Sequence, residues 1–279
     1  MPRMTEHTFR ERQFGRELRR LRKEMGFGLA EAGRDLQFSV AKMSRIELGQ
    51  LPTYHELLAL LDRYGILADE WPPYIKALER AAEKGWWRIY GAIKQGLISM
   101  EDAAELLCEL EMALIPGPFQ SVPYMHAVFA NGGIEFSRRR IEKLVALRLR
   151  RRERFTGENP LRYHGIIDES VLTNVWGSRQ DMRDQLRQLV TVSSASNITL
   201  QVMPRTAGIH HGRLASFRVF AFPDPEEGDQ IHMENIFRSV YVDDPEDVQA
   251  AKMLFKRLAV RALNPEESVL WIERLIAEI

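Results

Sequence analysis

Between residues 10 and 64 the apolar side chains recur at helical spacing, and cap or turn signals break the pattern at short intervals, so this part of the chain is restricted to a cluster of short helices. Phe14, Leu18, Leu21 and Met25 follow one another at spacings of four, three and four, which sets them on one stripe. Gly26 stands where a helix is commonly closed by a residue in the left-handed region. A second helix fits Leu29 to Leu36, and a third begins after Ser39. A fourth carries Leu57, Leu58 and Leu61 behind Thr53, with Glu56 three residues on as the second half of a capping box. Four helices in about 55 residues make a helical domain of ordinary size.

"LADEWPPYIK" interrupts the pattern, because a proline inside a helix removes a hydrogen bond and pushes its predecessor out of the α region. The first domain is therefore predicted to span residues 1–68. Residues 69–112 read as a helical connector, in which "SMEDAAELLCELEMAL" is opened by Ser99 as cap with Asp102 three residues later. "IPGPFQSVP" ends it, and a long basic helix follows from about 136 to 155, with Ile141, Leu144, Val145 and Leu149 on one stripe. The texture then changes. "LRYHGIID", "ITLQVMP", "ASFRVFAFP" and "SVYVDD" are short, rich in β-branched and aromatic residues and flanked by turn residues, so they read as strands. Helices fit 179–194, 245–262 and 266–278, and residues 113–279 are expected to form an α+β domain, a sheet covered by helices.

The 279 residues favour about two domains. Lysine plus arginine and aspartate plus glutamate balance at 39 each, so any basic footprint for nucleic acid has to be local. Cys108 is the single cysteine, which excludes an intramolecular disulfide and lacks the companions of a zinc or redox motif. No apolar run approaches the roughly 18 residues of a membrane helix. The expectation is a cytoplasmic chain with no membrane association, no cofactor and no metal.

By its pattern alone the stretch "SVAKMSRIELGQLPT" fits either a helix that lies in the major groove of DNA or one more amphipathic turn of a helical domain. Met43 and Ile46, three apart, can bury one face, while Val40, Ala41, Lys42 and Arg45 lie toward the other. Ser39 sits at the cap position, which leaves free amides for a phosphate. The run from Phe14 to Ile66, with "SRIELG" followed by Pro52 and Thr53, resembles an Xre-type, lambda-repressor-like helix-turn-helix domain. The resemblance implies that Ser39 to Leu48 form the recognition helix, with Val40, Ala41 and Arg45 facing bases, and Ser39, Lys42 and the amides near Leu29 facing phosphates. The basic first helix, with Arg19 and Arg20, suits contact with the DNA backbone as well as a solvated face. Arg22 and Glu47 fall on the family's helix-one arginine and recognition-helix glutamate, which implies a partly buried pair. Three positions depart from the pattern: Gly28 replaces a capping side chain, Gly33 adds backbone freedom inside helix two, and Gln37 replaces the glycine of the turn.

From residue 86 onward, "WW", "IPGPFQSVPYMHAVF", "LRLRRRERF", "IIDESVL", "GIHHGRLASFRVFAF" and "HMENIFRSVYVDDPEDV" occur in an order that resembles the C-terminal domain of a group of actinobacterial Xre-type regulators, WhiJ-like and described as antitoxin-like. This implies a regulatory domain that binds a small effector or a partner protein from a neighbouring gene. His210, His211 and Glu234 are candidates for lining a ligand pocket, and Asp168 and Glu169 supply further carboxylates. No HExxH, GxSxG, P-loop or GxGxxG is present, and the chain is not expected to be an enzyme. The basic segment Arg138 to Arg154 leaves three readings: a solvated face paired with the acidic "DPEEGD" and "DDPED", an interface for an acidic partner, or an accessory DNA contact. One recognition helix covers few base pairs, so the expected species is a homodimer on a pseudo-palindromic operator in double-stranded DNA. A protein-interaction module with secondary DNA binding is the alternative.

Overall fold

The computed structural model describes residues 7–90, 95–133, 136–223, 228–235 and 238–279, and these divide into two units, one reaching Met100 and the other formed by Tyr90 and the residues from Glu101 onward. In the first unit, α1 (Phe9–Glu24) starts at a Thr8–Glu11 capping box and α4 (Tyr54–Arg63) at the Thr53–Glu56 box. Between them lie α2 (Leu29–Arg34), whose cap residue Gly28 makes no side-chain bond, and α3 (Val40–Glu47), capped by the Ser39 hydroxyl accepting from the Lys42 amide. Phe14, Leu18 and Leu21 of α1 bury against Met43 and Ile46 of α3 and Leu57, Leu60 and Leu61 of α4. Met25 does not join them: it is the residue on which α1 ends, and its side chain is exposed.

Two glycines are fixed by contact. A Cβ on Gly15 would stand 2.6 Å from the carbonyl oxygen of Ile46, so α1 and α3 meet backbone to backbone. A Cβ on Gly33 would stand 2.5 Å from that of Phe38, so this residue, expected only to loosen α2, is required by the approach of the turn that leads into α3. Gln37 in that turn has φ of +55°, a left-handed conformation that no other non-glycine residue adopts among the described residues.

The helical unit does not stop at residue 68. Pro72 and Pro73 occupy the first turn of α5 (Pro72–Ala82), where a missing amide costs nothing, and Leu78 and Ala81 of that helix belong to the same core. Nor do residues 69–112 form a helical connector. After α6 (Gln95–Ala103), Leu106–Glu111 is a strand, β1. Ser99 lies inside α6, donating to the Gly96 carbonyl and accepting from the Phe9 amide.

The second unit is built on a six-stranded sheet of order β3-β2-β1-β4-β5-β6. After β1 come α7 (Val122–Asn131) and α8 (Arg138–Arg152), then β2 (Arg162–Asp168), α9 (Glu169–Thr173), α10 (Arg179–Ser193) and β3 (Ile198–Met203). The chain then crosses to the other side of β1 with β4 (Phe217–Ala221), β5 (Gln230–Glu234) and β6 (Ser239–Val242), and ends in α11 (Pro245–Arg261) and α12 (Pro265–Glu278). β1 is central. It pairs in parallel with β2, Glu109 opposite Gly165, and antiparallel with β4, Glu109 opposite Arg218. Its "LLCELE" suits either a helix or a strand by periodicity, and having both backbone edges bonded selects the strand. One face of the sheet, with Leu110, Ile166, Phe217 and Val219, packs on Phe255 and Leu258 of α11. The other carries Glu109, Glu111, Tyr163 and Arg218 by strand alternation.

Helix α8 divides its basic residues between solvent, where Arg138, Arg139 and Arg150 are exposed, and the body of the unit. Val145 and Leu147 are its buried apolar residues, whereas Leu149 is exposed. Arg148, Arg151 and Arg152 serve the interior. Arg151 Nε donates to Glu101 at 2.6 Å, and Arg152 donates to the carbonyls of Pro118 and Gln120 at 3.0 and 2.8 Å. Arg148 donates to Gln120 Oε1 and lies over the Phe129 ring. Arg154, just beyond, binds the carbonyls of Ala104 and Asn159 at 2.6 and 2.7 Å. Of the acidic segments expected opposite this helix, residues 224–227 of "DPEEGD" lie outside the described residues.

Candidate nucleic-acid interface

Helix α3 is held from beneath. The Arg22 guanidinium grips Glu47 in two parallel bonds, Nε to Oε1 at 2.5 Å and Nη2 to Oε2 at 2.9 Å, while its Nη1 donates to the Phe27 carbonyl at 2.5 Å. One side chain thereby joins α1, the end of the α1–α2 turn and α3. The fork geometry fixes orientation as well as distance, which a lysine could not do. Glu47 and burial act on Arg22 in opposite directions, and the carboxylate prevails, raising the arginine's pKa.

With Met43 and Ile46 directed inward, α3 offers an outer face of Val40, 49% exposed, Ala41 and Arg45. Arg45 Nε donates to the Gln50 side chain at 3.0 Å, so the guanidinium leaves the helix in a defined direction with its terminal nitrogens free to bond elsewhere. Ser39 is committed as the cap. Lys42 is only half available, since its ammonium pairs with Glu56 and lies 3.7 Å from the centre of the Phe38 ring. On α1, Arg20 is held by Glu17 and Glu24, whereas Arg19 is exposed.

The second unit does not gather His210, His211 and Glu234 into one pocket. His210 is buried and His211 exposed. Glu234 follows Met233, which packs with the α11-side core, so alternation turns Glu234 to the opposite face.

Sequence reasoning missed a buried polar cluster on the sheet. Arg218 bridges Glu109 and Glu111 in the interior, and the Tyr163 hydroxyl donates to Glu109 at 2.7 Å. Burial acts against both carboxylates. Arg218 and Tyr163 nevertheless hold Glu109 below its ordinary range, whereas burial and the neighbouring Glu109 push Glu111 up to about 8. The pair therefore shares one negative charge against one guanidinium near neutral pH, an affordable arrangement for a buried site. In α8, burial and the Arg151 guanidinium push Arg148 down to about 10. No sequence signal links Glu109 to Arg218, which are 109 residues apart.

Two family models match the chain: a helix-turn-helix domain over residues 13–71 and a domain of unknown function, DUF5753, over residues 95–274. No curated protein and no solved structure matches it. The first match falls on α1 to α4 and the turns that join them, and the second covers more than half of the 279 residues, including the whole sheet. The chain thus belongs to the DUF5753 family and carries a helix-turn-helix domain at its N-terminal end.

Proposed function

We propose that the protein is a sequence-specific DNA-binding transcriptional regulator, of the Xre-type, WhiJ-like and antitoxin-like group, that acts in the cytoplasm without catalysing a reaction. The observation that carries this reading is α3: capped at Ser39, locked from below by Arg22 and Glu47, and free on the side of Val40, Ala41 and Arg45. A helix so placed in a helix-turn-helix domain lays its outer face in the major groove. Arg45 then reads guanine, Val40 and Ala41 meet thymine methyls, and the amides at Ser39 with Arg19 and Arg20 meet phosphates. Lys42 joins them by exchanging Glu56 for a phosphate oxygen. The protein binds as a homodimer on a pseudo-palindrome with half-sites about one helical turn apart. The DUF5753 unit receives a small effector or a partner protein.

Footprinting with the intact protein on its own promoter region tests this. Arg45→Ala is expected to weaken operator binding by about 1 to 3 kcal/mol, about 5- to 150-fold, and to leave binding to random duplex nearly unchanged. Equal losses on both would remove Arg45 from base reading, and a wild-type protein that protects no DNA would overturn the regulator itself.

A further inference from the structure

β1, β2 and β3 run parallel, and the loop 208–216 crosses near their carboxyl edge before entering β4. The chain leaves β1 toward β2 and β3 on one side and returns as β4 on the other; where connections diverge in this way, the carboxyl ends of parallel strands are a common place for a ligand. Two polar atoms at this edge have no hydrogen-bond partner. Asp168, the last residue of β2, is 3% exposed; its Oδ1 accepts from the amide and hydroxyl of Ser170, and its Oδ2 has nothing. His210 is 7% exposed, and its Nδ1 is likewise unbonded, 3.1 Å from where a Cβ on Gly212 would stand, a position that Leu110 and Leu258 also crowd. Alternation from Ile166 puts Asp168 on this same α11 side of the sheet.

Buried polar atoms are nearly always paired, and leaving one unpaired is costly, so two at one edge call for a purpose. Their setting is cationic. Arg213 stands three residues after His210, and Arg261 donates to the Ala207 carbonyl at the base of the loop. Burial and then these two guanidiniums lower the pKa of His210, so the imidazole is neutral near pH 7 and Nδ1 can donate or accept according to tautomer. The loop also turns Ile209, 91% exposed, and Leu214, 83% exposed, into solvent on either side of the buried His210.

We propose that Asp168 Oδ2 and His210 Nδ1 are the recognition atoms of a site for a small anionic molecule that also carries hydroxyl or ammonium donors, its acid group facing Arg213 and Arg261. The proposal rests on the reading of the DUF5753 unit as an effector domain and gives that effector a chemistry. A donor on the ligand bonds the orphaned carboxylate oxygen, a second polar atom pairs with the imidazole, and the anion answers the two guanidiniums.

The test uses the intact chain and calorimetric titration with ribose 5-phosphate, L-malate, L-glutamate and inorganic phosphate. At least one of the first three should bind more tightly than phosphate alone, which distinguishes a phosphorylated polyol from a hydroxy or amino acid. Asp168→Asn, which keeps the shape and inverts one hydrogen-bonding group, should weaken binding by about tenfold or more, while His211→Ala should leave it unchanged. His210→Leu should abolish binding and raise Tm of the sheet unit by about 2–4 °C, because it removes an unpaired buried nitrogen. Absence of binding by all three compounds to the wild type, or equal affinity of Asp168→Asn, overturns the site. Footprinting on the same samples separates the two readings: intact operator protection with no ligand response refutes only this site, and lost protection in the wild type refutes the regulator.

Discussion

Glycine at position 33 sets two physical effects against each other. By helix propensity alone, Gly33→Ala in α2 should stabilise the helical unit by about 0.8–1.0 kcal/mol. The structure demands the opposite sign. The new methyl carbon would lie 2.5 Å from the Phe38 carbonyl oxygen and 3.1 Å from Met43 Cγ, and real Cβ atoms essentially never approach within 3.0 Å, so the turn has to retreat by at least half an ångström. That carbonyl is backbone, and the Phe38 amide is tied to the Gly33 carbonyl at 2.9 Å, which leaves no flexible end to swing aside. Overpacking of this kind costs about 1–3 kcal/mol, so the net effect is a loss of about 1 kcal/mol, together with a displaced start of α3. Four residues on, Gln37→Gly has the reverse logic: φ of +55° is strained for glutamine and free for glycine, and relief of about 1 kcal/mol exceeds the added entropy of the unfolded chain. Hydrogen exchange of the α2 to α4 amides in the intact protein reads both changes without assuming a single unfolding transition. Faster exchange in Gly33→Ala and slower exchange in Gln37→Gly is the expected pair. Slower exchange in Gly33→Ala would refute the close approach.

Two further outcomes follow from the buried ion pairs. Arg22→Met, which strands Glu47, should destabilise the helical unit by about 3–5 kcal/mol by hydrogen exchange, and Arg22→Met with Glu47→Leu should recover most of that loss, because two matched apolar residues leave no unpaired charge. In the sheet unit, the Glu111 pKa rises from 4.5 to about 8 on folding, so between these values the folded chain holds a proton that the unfolded chain has released. Its contribution to stability is full below the lower value and is lost as pH rises toward the upper one. Thermal unfolding across that window should show Tm of the sheet unit falling with pH, and Glu111→Gln should flatten the slope; an unchanged slope would remove Glu111 as its source.

The helical unit was legible because its signals are local. Thr53 and Glu56 lie within one turn of each other, and Met43 with Ile46 define an inner face without knowledge of the partner. Arg22 and Glu47, 25 residues apart, were reached through resemblance and not through spacing. In the sheet unit the decisive facts are distant. β1 could not be told from a helix until β2 and β4 occupied its two edges, and "QIHME" of β5 went unread because two bonded neighbours, more than its own pattern, make it a strand. The arginines of α8 misled in a different way. Arginine is normally a surface residue, so a run of them suggests a solvated face, which holds for Arg138, Arg139 and Arg150, but Arg151 and Arg152 find carboxylate and carbonyl oxygens in the interior. His210 was visible as an oddity among glycines; that it and Asp168 both lack bonds was not, since an unmade hydrogen bond leaves no trace in a sequence.

The position of β1 has a consequence for synthesis. It is the first strand of its sheet to leave the ribosome and it needs partners on both edges, Gly165 of β2 lying 56 residues downstream of Glu109 and Arg218 of β4 lying 109. Long-range pairing of this kind closes slowly, while contacts among α1 to α4 are local and close fast. During translation the helix-turn-helix unit is therefore complete while β1 still waits as an unpaired strand. A nascent chain stalled before β4 would carry a folded reader of DNA and an open strand edge, the form most prone to aggregate and the one for which early contact with a chaperone matters most.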